Sequence, residues 1–580
     1  MNKTYIELKS NLKKTDRKLE TVKIALLSDS SAHYLAVALK GHGYDQGLDF
    51  ETMEMGFNQI EQQILDASSD LYQFKSAYAV IFKTRQNLSG LFYKLDKFSR
   101  KGFADQQLSK LESQIRLFNE RLPGCRVLVV SILDESDAVF GNFSGKVDHS
   151  LDYQVKKINY GLFNIAKEYG NTFLIDINPI CLSLGRDQYF NPSLYINGGF
   201  TFNFVFYAAL ARHITGIVKA IRGCVAKCII LDLDNTLWGG VIGDDGIEKI
   251  EIGGLGIGKA YSEFQSWLKQ LKNRGIILIV CSKNDDAKAK EAFRKHPDMV
   301  LGLQDFALFI CNWNNKVENI IRIQRALNIG FDSMVFIDDN PAERELIKTR
   351  IRGIIVPALP EDPADYVGCL QQLNLFETAS HSEGDEDRTR QYQTEFKRSS
   401  VGTDYSNIDD FLASLQMTSN VKEFDGFSIP RIAQLEQRTN QFNLRTPRYS
   451  ENNILEMAKS WQYQTFSFDL KDKFGDLGIV GSVILRKENK DMFIDSWVLS
   501  CRVFQRTVEE FMINAIFDYA KQNAFFKVCG EFIPTKKNSI VEDLFKRFGF
   551  KQNGRYWEGF TADFAKQKTF VERQESWMMF

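Results

Sequence analysis

Residues 227–238 read KCIILDLDNTLW, in which the apolar run Cys228 to Leu231 leads into Asp232, Leu233, Asp234, Asn235 and Thr236. A short apolar run of this kind suits a buried strand. Carboxylates at positions i and i+2 leaving it can both face a cation at the strand's carboxyl end. In an open parallel α/β sheet that edge is where ligands bind. Two other apolar runs end in polar groups. Ile276 to Cys281 stops at Ser282, Lys283 and Asn284, and Met334 to Ile337 stops at Asp338, Asp339 and Asn340. Parallel pairing would gather all three sets at one edge.

These residue types suit phosphoryl transfer. A phosphoryl group is anionic and repels a carboxylate nucleophile, so the chemistry calls for a hard divalent cation on oxygen ligands, Mg²⁺ above all. Asp232, Asp234, Asp338 and Asp339 are the candidate ligands, with Asp232 and Asp338 foremost. Asp232 is the expected nucleophile, forming an aspartyl-phosphate. Asp234 is expected to protonate the leaving oxygen and then to activate water. Thr236, Ser282, Lys283, Asn284 and Lys316 are the candidate contacts for the phosphoryl oxygens. Of the two lysines, Lys316, in NWNNKVENI before a helical pattern, is preferred to Lys283.

Working outward, residues 221–376 read as one α/β unit. Its helix KAYSEFQSWLKQLKNRG places Tyr261, Phe264, Leu268 and Leu271 on one face. Only about twenty glycine-rich residues separate Trp238 from Lys259, too few for a large cap domain. Residues 1–220 show strands at Val22–Ser30, Arg126–Leu133 and Asn171–Ile177 between helical patterns, which again indicates a parallel sheet. Residues 377–391 are polar and charged, as in an exposed linker. Residues 392–580 mix helices with the strands FSFDLKD, GIVGSVILRK and MFIDSWVLS, an α+β pattern. The expected fold class is multidomain α/β.

The 580 residues carry a net charge of −1, which gives no global argument for nucleic acid or an anionic membrane as partner. No apolar run approaches the roughly 18 residues that span a bilayer, and the N-terminus is polar from its start. The expectation is a cytoplasmic protein. The nine scattered cysteines fit free thiols in a reducing compartment.

The order D-x-D-x-T, strand-end Ser, Lys, strand-end Asp-Asp resembles the haloacid-dehalogenase (HAD) superfamily. Within it, LDLDNTLWGGVIGDDG, VCSKND, NWNNKVENI and FIDDNPAERE are similar to FkbH-like proteins. So are QRTNQFNLRTPRYS, DKFGDLGIVG, SWVLSCRVFQR and PTKKN in the C-terminal segment. That resemblance implies a phosphorylated small-molecule donor, loss of its phosphate, and transfer of a glyceryl-like acyl group onto an acyl carrier protein. Cys501 is then the expected carrier of the group in transit. The C-terminal segment also resembles the GNAT acyltransferase fold, in which the loop from Arg502 to Thr507 would meet pantetheine phosphate. Gln505 and Thr507 stand there where glycine is expected, which puts coenzyme A in doubt. Arg438, Asn440, Asn443, Arg502 and Arg506 are the candidate acyl or carrier contacts. The first segment resembles an SGNH-hydrolase sheet, with Ser28-Asp29-Ser30 for Gly-Asp-Ser. Around NPSLYINGGFTFNF (191–204), where such an enzyme needs its histidine, there is none, and His213 lies further on within a helical stretch, so no esterase is expected. The alternative reading is a simple phosphatase with a binding-only C-terminal domain.

Overall fold

The computed structural model describes residues 3–14, 19–56, 59–381, 385–402, 407–535 and 537–574. It divides into two compact units, Met1–Val218 and Lys219–Phe580.

The first unit is a five-stranded, wholly parallel sheet: β1 (Glu20–Ser28), β2 (Leu48–Glu54), β3 (Tyr78–Phe82), β4 (Arg126–Val130) and β5 (Thr172–Ile175), in the order β2-β1-β3-β4-β5. β3 is buried along its whole length, as a parallel strand covered on both faces must be. Helices such as Phe103–Arg121 and Leu151–Glu168 cover it with Ile115, Phe118, Val155 and Ile158.

The second unit begins with a four-stranded parallel sheet: β6 (Cys228–Leu231), β7 (Ile277–Ser282), β8 (Phe306–Cys311) and β9 (Met334–Ile337), ordered β8-β7-β6-β9. Side chains alternate between two cores. Ile229, Leu231, Leu278, Val280, Val335 and Ile337 enter one, together with the expected helix face Tyr261, Phe264, Leu268 and Leu271. Cys228, Ile230, Ile279, Met334 and Phe336 enter the other, under Ile320, Ile323 and Leu327 of the helix Lys316–Leu327. Between Trp238 and the helix Gly256–Asn273 lies a single four-residue helical turn, Ile242–Asp245, so no large cap stands over β6.

The rest of the unit is a mixed sheet of nine strands, β10 (Met417–Ser419), β11 (Val421–Lys422), β12 (Tyr463–Asp472), β13 (Gly475–Glu488), β14 (Asp491–Leu499), β15 (Lys527–Glu531), β16 (Lys551–Asn553), β17 (Tyr556–Phe560) and β18 (Val571–Arg573). Its order is β16-β17-β15-β14-β13-β12-β10-β18, with β11 beside β12. Most pairs are antiparallel, but β14 and β15 are parallel and pair only from Asp491 to Phe493. Beyond that point residues 442–444 fill the wedge. Leu499 N–H donates to the Phe442 carbonyl (3.3 Å) and Ile533 N–H to the Leu444 carbonyl (2.9 Å).

Two expectations need correcting. The segment 377–391, read as an exposed linker, is packed. Asp385 is fully buried and accepts from Arg388, Arg438 and Gln434, while residues 382–384 lie outside the described residues. Part of its polar composition serves a buried ion-pair cluster, while His381, Glu386, Asp387 and Arg390 remain exposed. Second, the helix Phe204–Ile221 is long and apolar enough by length and composition to cross a membrane, contrary to the reading of short runs only. It is 67% buried within the structure, as a core helix is.

Candidate active site

β6 and β9 are hydrogen-bonded neighbours in register, Leu231 opposite Ile337. The next residues, Asp232 and Asp338, therefore emerge side by side. Carboxylate oxygens of Asp232, Asp338 and Asp339 lie within 4.8 Å of one another. Lys316, at the start of its helix and 3% exposed, reaches in to both strands, 2.6 Å from Asp338 and 3.0 Å from Asp232. Burial would lower the Lys316 amine, but the charges of Asp232 and Asp338 outweigh it and hold the amine above its ordinary range. Burial and the Asp232 charge raise Asp338 to about 6 despite Lys316, and the same two causes raise Asp339. One lysine among three carboxylates leaves a negative surplus. Asp232 Oδ1 is buried and has no hydrogen-bond partner. An orphaned carboxylate oxygen beside two further acids fits an oxygen-coordinated divalent cation.

The neighbours hold these groups in place. Thr236 Oγ1 accepts from Asp339 N–H at 3.1 Å. Arg344, four residues into the helix Pro341–Arg350, donates to the Asp338 carbonyl at 2.7 Å. Its role was not read from the sequence, although a basic residue one turn past a strand-end Asp-Asp is the signal that could have found it. Asp234 accepts from Trp238 Nε1 (3.0 Å), Ile242 N–H (3.1 Å) and Asn284 Nδ2 (2.9 Å), and it lies outside the three-carboxylate group that could hold a metal. Ser282 is buried and hydrogen-bonded to Asn284 at 3.3 Å. Of the two lysines, Lys316 touches the carboxylates, whereas Lys283 bridges to Glu343 near the surface. Asn235 turns the chain away from β6 at φ 52°, its side chain accepting from Gly240 N–H.

Cys501 lies elsewhere. It sits in the turn Cys501–Val503, seven residues before the helix Val508–Gln522. It borders two cavities, of about 490 and 620 Å³. The first is walled by Lys227, Ile276 and Ser333, which are the amino ends of β6, β7 and β9. From Lys227 to Asp232 is five strand residues, ~17 Å at the rise of a parallel strand. The HAD-type sheet thus stands between Cys501 and the carboxylates.

The other C-terminal candidates are largely engaged within the chain. Arg438 donates to Asp385 and to Ser380. Asn440 donates to the Gly223 carbonyl and accepts from Arg448. Asn443, fully buried, bonds the Thr439 carbonyl and Thr446 N–H in turn geometry. Arg506 pairs with Glu395 and with Asp472. Arg502 donates only to the neutral Ser500 and Gln391. Gln505 and Thr507 both adopt the left-handed conformation, φ 61° and 58°, so these are positions that favour glycine. Thr507 Oγ1 accepts from Phe570 N–H at 2.9 Å, and the first helical turn carries Glu509 and Glu510. A diphosphate would meet two acidic side chains, groups of its own sign, there, which disfavours coenzyme A at this loop.

In the first unit, Ser30 Oγ bonds Ser28 Oγ at 3.2 Å, and Ser30 is 8% exposed. The Asp29 carboxylate accepts from Thr84 N–H at 3.0 Å. Burial and then Arg212 push His213 down to about 4.

A parallel sheet whose β6 ends in Asp-x-Asp, with an in-register Asp-Asp and a buried lysine, defines a HAD-type domain without a large cap. Residues 23–219 match the family model described as FkbH, N-terminal domain. The crystal structure of the N-terminal part of the protein BF1531 from Bacteroides fragilis, containing a phosphatase domain complexed with Mg, is 45% identical. It covers 65% of this chain and 100% of that chain at a TM-score of 0.62. The chain belongs to the FkbH-like family. The ribosomal-protein-S18-alanine N-acetyltransferase of Escherichia coli covers 25% of this chain and 94% of that one, with 12% identity and a TM-score of 0.21. That likeness is too slight to argue from. A comparison with curated proteins finds no match.

Proposed function

We propose that the chain is a Mg²⁺-dependent phosphatase of the HAD type that works on a phosphorylated small molecule and passes an acyl group to a carrier protein. The observation that carries the phosphatase reading is the partnerless Asp232 Oδ1 within a buried set of three acids and one lysine. The Mg-bound phosphatase domain of the Bacteroides relative supports it. Asp232, Asp338 and Asp339 would hold the cation, which when bound neutralises and orients the phosphoryl group.

The chain's own residues do the rest. Lys316 holds Asp232 and Asp338 aligned through an ion pair to each. Asp232 attacks phosphorus, the bond to the leaving oxygen breaks, and an aspartyl-phosphate forms. Asp234 gives its proton to the leaving oxygen and then takes one from the water that hydrolyses the intermediate. In the conformation seen, Asp234 is held by three donors, Trp238, Ile242 and Asn284. Its role as an acid therefore requires it to turn from Asn284 toward the substrate. Phosphate release with added Mg²⁺, abolished by EDTA and restored by Mg²⁺, is the expected result. Full turnover after exhaustive chelation would exclude this site.

The acyl-transfer half rests on family resemblance and on Cys501 facing two cavities, one for each side of an exchange. Attack of the Cys501 thiol on the acyl carbon of an acyl-phosphate donor would form a thioester and release that phosphate, and exchange with a pantetheine thiol would then pass the acyl group on almost without change in free energy. Intact-mass detection of an adduct on Cys501 and of an acylated carrier protein tests it, with Cys501→Ser expected to lose both and keep phosphate release. The separation of Cys501 from Asp232 favours a second reading, a phosphatase whose C-terminal region only binds. Carrier loading by neither protein would select it, whereas wild-type loading by Cys501→Ser would move the acyl intermediate off Cys501.

A further inference from the structure

The cavity of about 490 Å³ at the amino ends of β6, β7 and β9 takes no part in the chemistry at Asp232, yet it is lined by an excess of cations. Part of that charge is matched. Arg388 and Arg438 share Asp385, and Lys537 pairs with Asp332 at 2.7 Å. Of the rest, Arg352 is exposed, Arg274 donates to the Phe376 carbonyl with Glu377 nearby, and three further cations have no paired carboxylate. Arg431 donates to the amide oxygen of Gln434, and Arg502 to the Gln391 amide and the Ser500 hydroxyl. Among the described residues, neither these two nor Lys227 contacts a carboxylate. Burial, reinforced by Arg502 and Arg388, pushes Arg431 down to about 9. Burial, opposed by Cys501 and reinforced by Lys537, Arg388 and Arg438, pushes Lys227 down to about 8. Burial also lowers Arg502. Asp385 near Arg431 and Glu395 near Arg502 offset part of this charge; like charges enclosed together in excess are costly to the fold, and an anion in the cavity would relieve them.

We propose that this cavity is a second ligand site, which binds a small phosphate ester through Lys227, Arg431 and Arg502. Its volume falls in the range of small-molecule pockets. Guanidinium forks match phosphate oxygens with paired hydrogen bonds. Ile276, Leu499 and Phe504 supply an apolar wall for a carbon skeleton. The site differs in kind from the carboxylate edge. There an anion is repelled until a cation is bound, whereas here an anion is attracted with no metal at all. The proposal does not depend on the phosphatase reading. Two sources share this chemistry, a free phosphorylated metabolite and the 4′-phosphate of a pantetheine arm.

Titration calorimetry of the full chain in excess EDTA tests it, with pyrophosphate, glycerol 3-phosphate and pantetheine 4′-phosphate as probes. At least one probe should bind, equally in wild type and Asp232→Asn. Binding should weaken by about tenfold or more in Arg431→Gln, a loss of one charged contact, and largely survive in Arg431→Lys. Pantetheine 4′-phosphate binding alone assigns the site to a carrier arm, and binding of the other probes assigns it to a free metabolite. Without ligand, Arg431→Gln should melt at a higher temperature than wild type, because it removes repulsion. A purely structural arginine would give the opposite sign. No binding by any probe at millimolar concentration, loss of binding in Asp232→Asn, or undiminished binding in Arg431→Gln overturns the proposal.

Discussion

β1 and β6 are interior strands of two parallel sheets, and each runs into a polar triplet: Ser28-Asp29-Ser30 at the end of β1, Asp232-Leu233-Asp234 after β6. By position they are equivalent, but their surroundings are not. Ser30 is satisfied by Ser28, and Asp29 by the backbone of Thr84 and the side chain of Asn87 through its carbonyl. Asp232 faces a second acid in register, a buried lysine and an oxygen with nothing to bond. A strand end becomes reactive when its polar groups are left incomplete in a charged setting. Where they complete one another, the same location is structural.

The largest break in that comparison is Asp232→Asn, which keeps shape and removes the attacking charge. Phosphate release should fall by on the order of 10⁴-fold or more, as when a covalent nucleophile is lost. Near-normal turnover in a continuous phosphate assay would remove the site from the chemistry. Next comes Lys316→Met. It strands Asp232 and Asp338 against each other, and breaking a buried pair costs about 3 kcal/mol. Urea denaturation should show that loss in EDTA and its partial recovery with Mg²⁺.

A smaller effect concerns pH. Asp338, raised to about 6, carries a proton below that pH that a bound cation must displace. Mg²⁺ affinity should hold above pH 6 and fall by up to about tenfold per unit below it, one proton being exchanged. In the metal-free chain the same group works the other way. The folded state holds a proton that the unfolded state has shed, so stability declines as pH rises from about 4 to 6. Asp338→Asn should flatten both slopes in a denaturation and titration series. Least of all is Ser30→Ala, expected to change stability by no more than ~1 kcal/mol and to leave phosphate release unaltered. Ser30 should also resist fluorophosphonate labelling, and labelling would erase the contrast between β1 and β6.

The carboxylate edge was legible because its residues are local: a strand run and the few positions after it. β6, β7 and β9 could be read, and Asp232, Asp338 and Lys316 meet as their order implied. β2, β3 and β8 were not singled out, being short runs without a chemical signature beyond them. The C-terminal candidates were harder. Asn440 and Asn443 form a polar cluster in sequence, but what decides their role is Gly223 and the wedge beside β14, more than fifty residues away in the chain. Asp385 was invisible for the same reason. Its partners include Gln434 and Arg438, and a stretch rich in Glu, Asp and Ser reads as solvated until the cations that bury it are known.

Gln505 and Thr507 carry a lesson about history rather than chemistry. Each holds a side chain in a backbone shape that costs roughly 1 kcal/mol for a residue with a β-carbon. Drift to glycine would ordinarily erase that cost. At Thr507 it would also cut the tie to Phe570 and so loosen the chain's last strand from the helix it rests on. Change is thereby biased: the position can become glycine without loss only after the terminal segment has found another fastening. A loop of this kind changes in a set order, and the order is written in which hydrogen bond must be replaced first.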